Sequence, residues 1–152
     1  MLQPKVVLAP IDFSDPAYDA VETAVRIASS FGATLLLVHV VPALPKLPAG
    51  VSIFKEGEYE RTLHEDAVKR VAELSAKCAQ AGVSVQSEVG TANDVAMEIL
   101  RIAERHKADL IVIATPGMTG WNALAFGSVA EKVVRAAPGA VLVLKTQPQN
   151  KR

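Results

Sequence analysis

Leu110-Ile-Val-Ile-Ala-Thr-Pro-Gly117, followed by Met118 to Phe126 and then Gly127-Ser-Val-Ala-Glu131, is the stretch that decides how this chain is read. It opens as an apolar, β-branched run, the composition of a strand buried on both faces. A glycine-bearing loop comes next, and a helical pattern starts at Ser128. A loop that runs into a helix N-terminus leaves backbone N–H groups without helical partners, at the end where the helix dipole is positive. Such a junction suits an anion, and a phosphate group is the ligand chemistry it predicts.

Working outward, the same strand-to-helix alternation repeats along the chain. Lys5–Ile11 reads as a strand, and Ser14 or Asp15-Pro16 opens a helix with Ala17, Val21, Ala24, Val25 and Ala28 on its apolar face, ended by Gly32. Thr34–Val41 is a second strand, apolar on both faces. Pro42 to Gly57 reads as a connector, and a longer helix is expected from about Glu58 to Ala81, ended by Gly82. Ser84–Val89 is a third strand, and Thr91-Ala-Asn-Asp94 can cap a helix carrying Val95, Ile99, Ile102 and Ala103. Ala108–Ala114 and Ala140–Lys145 supply the fourth and fifth strands, with a short helix, Ser128–Ala136, between them.

This order predicts an α/β fold: a doubly wound five-stranded parallel sheet with helices on both faces. Right-handed crossovers place the first three strands as 3-2-1, and the most economical completion is 3-2-1-4-5. Ligands then bind beyond the carboxyl ends of strands 1 and 4, where the order reverses. Those ends carry Asp12 and Ala114–Gly117. One domain over residues 1–147 and a short tail, 148–152, are expected.

At the junction itself, Gly117, Gly120 and Gly127 allow close backbone approach to a ligand. Ser128 offers a hydroxyl and Val129 an N–H. Ser128-Val-Ala-Glu131 also has the spacing of a capping box, which stabilises a helix without any ligand. Both readings stand at this point. Met118 to Phe126 contains no basic residue, and the pattern is neither a Walker loop nor a Rossmann fingerprint. Asp12 is similarly double: it can face the crevice or form an Asx turn.

Lys+Arg and Asp+Glu both total 16, so no net field draws in nucleic acid or an anionic membrane. No apolar run approaches a membrane span, the start shows no signal-peptide pattern, and there is one cysteine; a cytoplasmic location is expected. Cys78 falls on an apolar helical stripe and reads as core. His39 reads as a satisfied core histidine, and His64 and His106 as isolated helical residues without metal-ligand spacing. Trp121 in the glycine loop, and Val51, Ile53 and Phe54 in the proline-rich connector, can cover a ligand or meet a partner.

The segments Pro10-Ile-Asp12-Phe-Ser14, Leu37-Val-His-Val40, Ala108-Asp-Leu-Ile-Val-Ile-Ala114 and Gly127-Ser-Val-Ala-Glu-Lys-Val133 together resemble the universal stress protein family over nearly the whole chain. Nucleotide-binding members carry Gly-x2-Gly-x9-Gly-Ser/Thr before the last helix; the match is Ala114-x2-Gly117-x9-Gly127-Ser128. The resemblance implies a site for ATP or a related adenine nucleotide, with Mg²⁺ or a similar ion arriving on the phosphates. It implies that Asp12 contacts the nucleoside, that Val40 borders the adenine, and that Gly117, Gly127, Ser128 and Val129 hold ribose and phosphates. Pro10, Ile11, Ala114 and Thr115 complete the implied binding set. The chain departs from the pattern at Ala114 in place of the first glycine, at Pro116 where histidine is common, and at Met118 where a basic residue is frequent.

In the order 3-2-1-4-5 the apolar strand Ala140–Lys145 is an edge, and an open apolar edge invites association. Pairing with its own copy through Val141, Leu142 and Val143 covers it, and the family's members commonly dimerise through this strand. The function expected is a homodimeric, adenine-nucleotide-binding module of the stress response that signals to an unidentified regulatory protein. A ligand-free dimeric adaptor with a structural glycine loop is the alternative. A slow ATP hydrolase is a third, although the sequence offers no evident water-positioning base, arginine finger or metal-binding carboxylate pair.

Overall fold

The computed structural model describes residues 3–45, 53–116 and 127–146. Along the chain these form β1 (Val6–Pro10), α1 (Asp15–Phe31), β2 (Thr34–Pro42), α2 (Ile53–Ala79), β3 (Ser84–Ala92), α3 (Val95–Arg105), β4 (Leu110–Pro116), α4 (Ser128–Ala136) and β5 (Ala140–Thr146). The five strands pair in parallel in the order β3-β2-β1-β4-β5, the order expected from the alternation.

Alternate residues of a strand face opposite sides of the sheet, and this splits the interior into two cores. Val7, Ala9, Leu35, Leu37 and Val112 pack on one side with Ala20, Val21 and Ala24 of α1 and Val71 and Cys78 of α2. Leu8, Leu36, Val38, Ile111 and Ile113 pack on the other with Ile99 and Ile102 of α3 and Val133 of α4. Residues 35–37 are all fully buried, which explains the unbroken apolar run of β2: both of its faces are covered. Removing one leucine side chain from such a core costs about 2–5 kcal/mol.

The helix boundaries follow from local chemistry. Ser14 caps α1, its Oγ accepting the Ala17 N–H at 3.4 Å, and Pro16 sits in the first turn where its missing N–H costs no bond. Gly32 and Gly82, with φ of 63° and 80°, turn the chain out of α1 and α2 through the left-handed region. Asp94 caps α3, accepting the Met97 N–H at 3.2 Å. Cys78 is buried, as its place on the stripe predicts, and burial pushes its thiol pKa up.

Several boundaries differ from the sequence reading. α2 begins at Ile53 and includes Gly57, because one glycine weakens a helix without ending it. Its last residue is Ala79, and Ala81 lies in the following turn, exposed. β2 and β3 run on to Pro42 and Ala92, since their ladder continues to that pair and the Ala43 N–H donates to the Ala92 carbonyl at 2.9 Å. β4 begins at Leu110; Asp109 just before it accepts the N–H groups of Lys5 and Val6 at 2.7 and 2.9 Å, tying the start of β1 to that of β4. Those bonds, to Val6 first and then Lys5, hold the Asp109 carboxyl below its ordinary range.

Candidate functional site

Past the carboxyl end of β1 the chain makes a tight turn. The Ile11 N–H donates to the Val38 carbonyl at 2.8 Å. Asp12 Oδ1 accepts both the Ser14 N–H at 3.0 Å and the Ser14 hydroxyl at 2.5 Å. The local-turn role open to Asp12 is therefore realised, but it occupies one oxygen. Oδ2 makes no hydrogen bond among the described residues, and Asp12 also lines the principal cavity.

That cavity, about 370 Å³, lies at the switch point between β1 and β4. Its wall takes Pro10, Ile11 and Asp12 from the end of β1, Val38, His39 and Val40 from β2, Ile113 and Ala114 from β4, Val95 and Ile99 from α3, and Gly127, Ser128 and Val129 from the start of α4. Eight of the ten nucleotide-site residues nominated from the sequence are thus brought to one cavity: Pro10, Ile11, Asp12, Val40, Ala114, Gly127, Ser128 and Val129. Thr115 is buried, outside that wall. Gly117, Met118, Gly120, Trp121 and Val51 lie outside the described residues, as do the side chains of Ile53, Phe54 and Pro116.

The wall is mostly apolar, with a few convergent polar groups, the usual make-up of a small-molecule site. Asp12 is its one carboxylate, and no lysine or arginine lines it among the described residues. Sequence reasoning missed Val38, His39, Val95, Ile99 and Ile113. The two-residue period of β2 and β4 and the four-residue step of α3 put Val38, Ile113, Val95 and Ile99 on one face, but the same periods mark ordinary core, and His39 is on the opposite face of β2.

His39 is half-buried rather than a core residue. Its Nδ1 lies 2.6 Å from the Ile11 carbonyl. A carbonyl only accepts, so Nδ1 carries the proton. The imidazole also packs on the Phe13 ring, centroids 4.8 Å apart.

The start of α4 corrects the capping-box reading. The N-cap is Gly127, and no side chain among the described residues caps the helix. Ser128 is the first helical residue, one place too late to cap, and its hydroxyl has no hydrogen-bond partner among the described residues. Glu131 turns away to Arg135, with Oε1 accepting from Nε at 3.1 Å. Beside this start is a second cleft of about 230 Å³, shared by Asp94, Val95, Ser128, Val129 and Lys132. Lys132 Nζ donates to Asp94 Oδ2 there at 3.1 Å.

His106 is likewise not isolated. It follows α3 as its C-cap, and its Nε2 lies 2.7 Å from Glu88 Oε2, while Arg105 donates to Glu88 Oε1. Partial burial raises the Glu88 pKa, but the Arg105 and His106 hydrogen bonds outweigh it and hold the carboxyl below its ordinary range. His64 Nδ1 lies 3.4 Å from Thr91 Oγ1. Among the described residues, no three His, Cys, Asp or Glu side chains group as metal ligands.

With this geometry established, comparison with known proteins is direct. The model of the universal stress protein family matches residues 4–145. The chain belongs to the universal stress protein family. A universal stress protein of Methanocaldococcus jannaschii is 36% identical over 143 residues, covering 93% of this chain and 82% of that relative. Among solved structures, universal stress protein UspA from Lactobacillus plantarum superposes with a TM-score of 0.80 at 25% identity, covering 95% of this chain and 99% of that one. A universal stress protein from Archaeoglobus fulgidus, solved in complex with dAMP, has a TM-score of 0.63 at 20% identity, covering 94% and 98% of the two chains. These superpositions show that the relatives share the fold of this chain. No helix among the described residues is long and apolar enough to cross a membrane.

Proposed function

We propose that this protein binds an adenine nucleotide in the switch-point cavity and acts as a homodimeric regulatory module of the stress response. The observation that carries the reading is the convergence of Asp12, Val40, Ala114 and the uncapped start of α4 on one cavity. The dAMP bound by the Archaeoglobus fulgidus relative supports the ligand class. Asp12 accepts from the ribose hydroxyls, with Pro10 and Ile11 beside it, and Val40 borders the adenine. Gly127, Ser128 and Val129 hold phosphate, each charge-assisted N–H bond contributing roughly 1.5–3 kcal/mol. Ala114, Thr115 and Gly117 complete the set, Ala114 adding one methyl where the family's binding members have glycine.

The finer form of the proposal is ATP with Mg²⁺ carried on its phosphates. Such an ion keeps most of its waters and needs only one or two protein oxygens, and in this reading the Ser128 hydroxyl supplies one. The uncapped α4 also bears against the ligand-free adaptor reading, in which Ser128 and Glu131 served only as a cap. Calorimetric titration with ATP, ADP and AMP, each with and without Mg²⁺, tests the reading; no heat at millimolar nucleotide would refute it.

The homodimer rests on β5. It is an edge of the sheet, and Leu142 on it is 37% exposed. The opposite edge, β3, carries Gln86, Ser87 and Glu88 in its middle, the polar composition of an edge that stays open. Val141, Leu142 and Val143 pair with a second copy, in the cytoplasm, and the dimer presents the nucleotide state to a regulatory partner. Light scattering should report a dimer at tens of micromolar, and a monomer for Val141→Lys.

A further inference from the structure

Phe13 holds a backbone conformation that its side chain disfavours, with φ at 64°. For a bulky residue the left-handed region is an outlier that persists only where the surroundings impose it. Here they do so from two directions. The Arg70 guanidinium of α2 lies over the Phe13 ring, 3.8 Å from its centroid. The His39 imidazole of β2 packs against the same ring at 4.8 Å. His39 also donates to the Ile11 carbonyl, while the Ile11 N–H is held by Val38. Ile11 and Phe13 flank Asp12, so the peptide that carries the carboxylate is gripped on both sides. Arg70 itself is exposed and is not part of the cavity wall.

We propose that Arg70 is a positioning residue for the ligand site: by stacking on Phe13 it holds the Ile11–Ser14 turn in its strained form and so presents Asp12 to the sugar hydroxyls of a bound nucleoside. The inference rests on the nucleotide reading above. Without the cation over its ring, Phe13 relaxes toward negative φ. The peptide joining it to Asp12 then rotates, and the carboxylate is redirected although no group touching the ligand has changed. An exposed cation–π contact that merely tethers α2 has no such consequence for the choice of sugar.

The test is therefore a ratio of affinities. AMP and its 2′,3′-dideoxy analogue are titrated calorimetrically against the wild-type protein, Asp12→Asn, Arg70→Ala, Arg70→Lys and Phe13→Tyr. The wild type should favour AMP by about tenfold, as one hydrogen bond to a carboxylate allows. That preference should fall toward parity in Asp12→Asn and to about threefold or less in Arg70→Ala, with thermal stability nearly unchanged because Arg70 is exposed. Arg70→Lys should recover part of it, and Phe13→Tyr, which keeps the ring, nearly all. The Ser14 amide, bonded to Asp12, should shift in the NMR spectrum of Arg70→Ala without ligand. Full sugar preference in Arg70→Ala, or an unmoved Ser14 amide, would overturn the inference and leave the nucleotide reading standing. A wild type that binds neither compound would overturn both, and one that binds the two equally would remove the role of Asp12 and this inference with it.

Discussion

α3 and α4 pack on the same face of the sheet, and both contribute their first residues to the cavity, yet they start in opposite ways. α3 is sealed by a side chain: Asp94 takes the Met97 N–H and also holds Lys132. α4 starts on Gly127 with no side-chain cap among the described residues. α1, capped by Ser14, follows the pattern of α3. A side-chain cap stabilises a helix by about 0.5–2 kcal/mol, so the start of α4 forgoes stability that the same fold secures elsewhere. What it retains is a helix end whose first N–H groups have no side-chain acceptor among the described residues, beside a serine hydroxyl that has no partner among them either, on the wall of the switch-point cavity. The contrast separates a helix start spent on the fold from one kept for a ligand.

The largest expected effect comes from making α4 resemble α3. Gly127 has φ −56° and ψ 149°, a conformation open to any residue. Gly127→Asp places a carboxylate where it can cap the first turn and where it opposes a phosphate. The melting temperature should rise by a few degrees, and calorimetry should show nucleotide affinity reduced by about a hundredfold, the value of one or two charge-assisted bonds. Lower stability together with intact binding would break the comparison. Ser128→Ala is the milder form. With no bond to lose among the described residues, its melting temperature should stay within about a degree, while removal of one phosphate contact weakens binding by about tenfold.

This contrast is also where the sequence was least legible. Ser128-Val-Ala-Glu131 satisfies the capping-box spacing, and nothing local distinguishes serine as the cap from serine as the first helical residue. The choice depends on where the preceding segment delivers Gly127, which is a tertiary matter. By comparison, the starts of α1 and α3 were narrowed to Ser14 or Asp15-Pro16 and to Thr91–Asp94, since each group stands immediately before an apolar stripe of helical period, and the structure selects Ser14 and Asp94. The sheet order was legible because right-handed crossovers place the first three strands as 3-2-1 and leave one economical completion. The cavity wall was half legible. Asp12 and Ala114 end strands, and strand ends at a switch point are where ligands bind. Val95, Ile99 and Ile113 were indistinguishable from core, because an apolar side chain that faces a cavity obeys the same periodicity as one that faces another side chain. His39 was hidden for a related reason: an apolar strand surrounds it in sequence, and only folding brings Ile11 and Phe13 to its ring.

The reverse substitution probes α3. Asp94→Ala removes its cap and frees Lys132, so the melting temperature should fall by a few degrees while nucleotide affinity is not weakened. Loss of binding to the same degree as in Ser128→Ala would show that both helix starts serve the ligand, and the distinction between them would collapse.

The smallest effect is a difference in acid sensitivity between the two starts. The bond from the Met97 N–H, and then that from Lys132, hold the Asp94 carboxyl below its ordinary range. A carboxyl whose pKa is lowered by folding contributes stability that is fully present above the unfolded value and is lost as the pH falls through the folded one. The start of α3 should therefore loosen as the solution is acidified past the ordinary aspartate range. Among the described residues α4 has no side-chain cap to protonate, and its first closing bond, from the Glu131 N–H to the Gly127 carbonyl at 2.9 Å, is between backbone groups. Hydrogen-exchange protection, corrected for the intrinsic pH dependence of exchange, should accordingly decline at Met97 before it declines at Glu131. Salt should narrow the gap only slightly, because the larger cause at Asp94 is a short-range hydrogen bond and only the Lys132 pair is open to screening. Equal loss of protection at the two amides would mean that Asp94 is not what seals α3, and that the two helix starts differ in sequence alone.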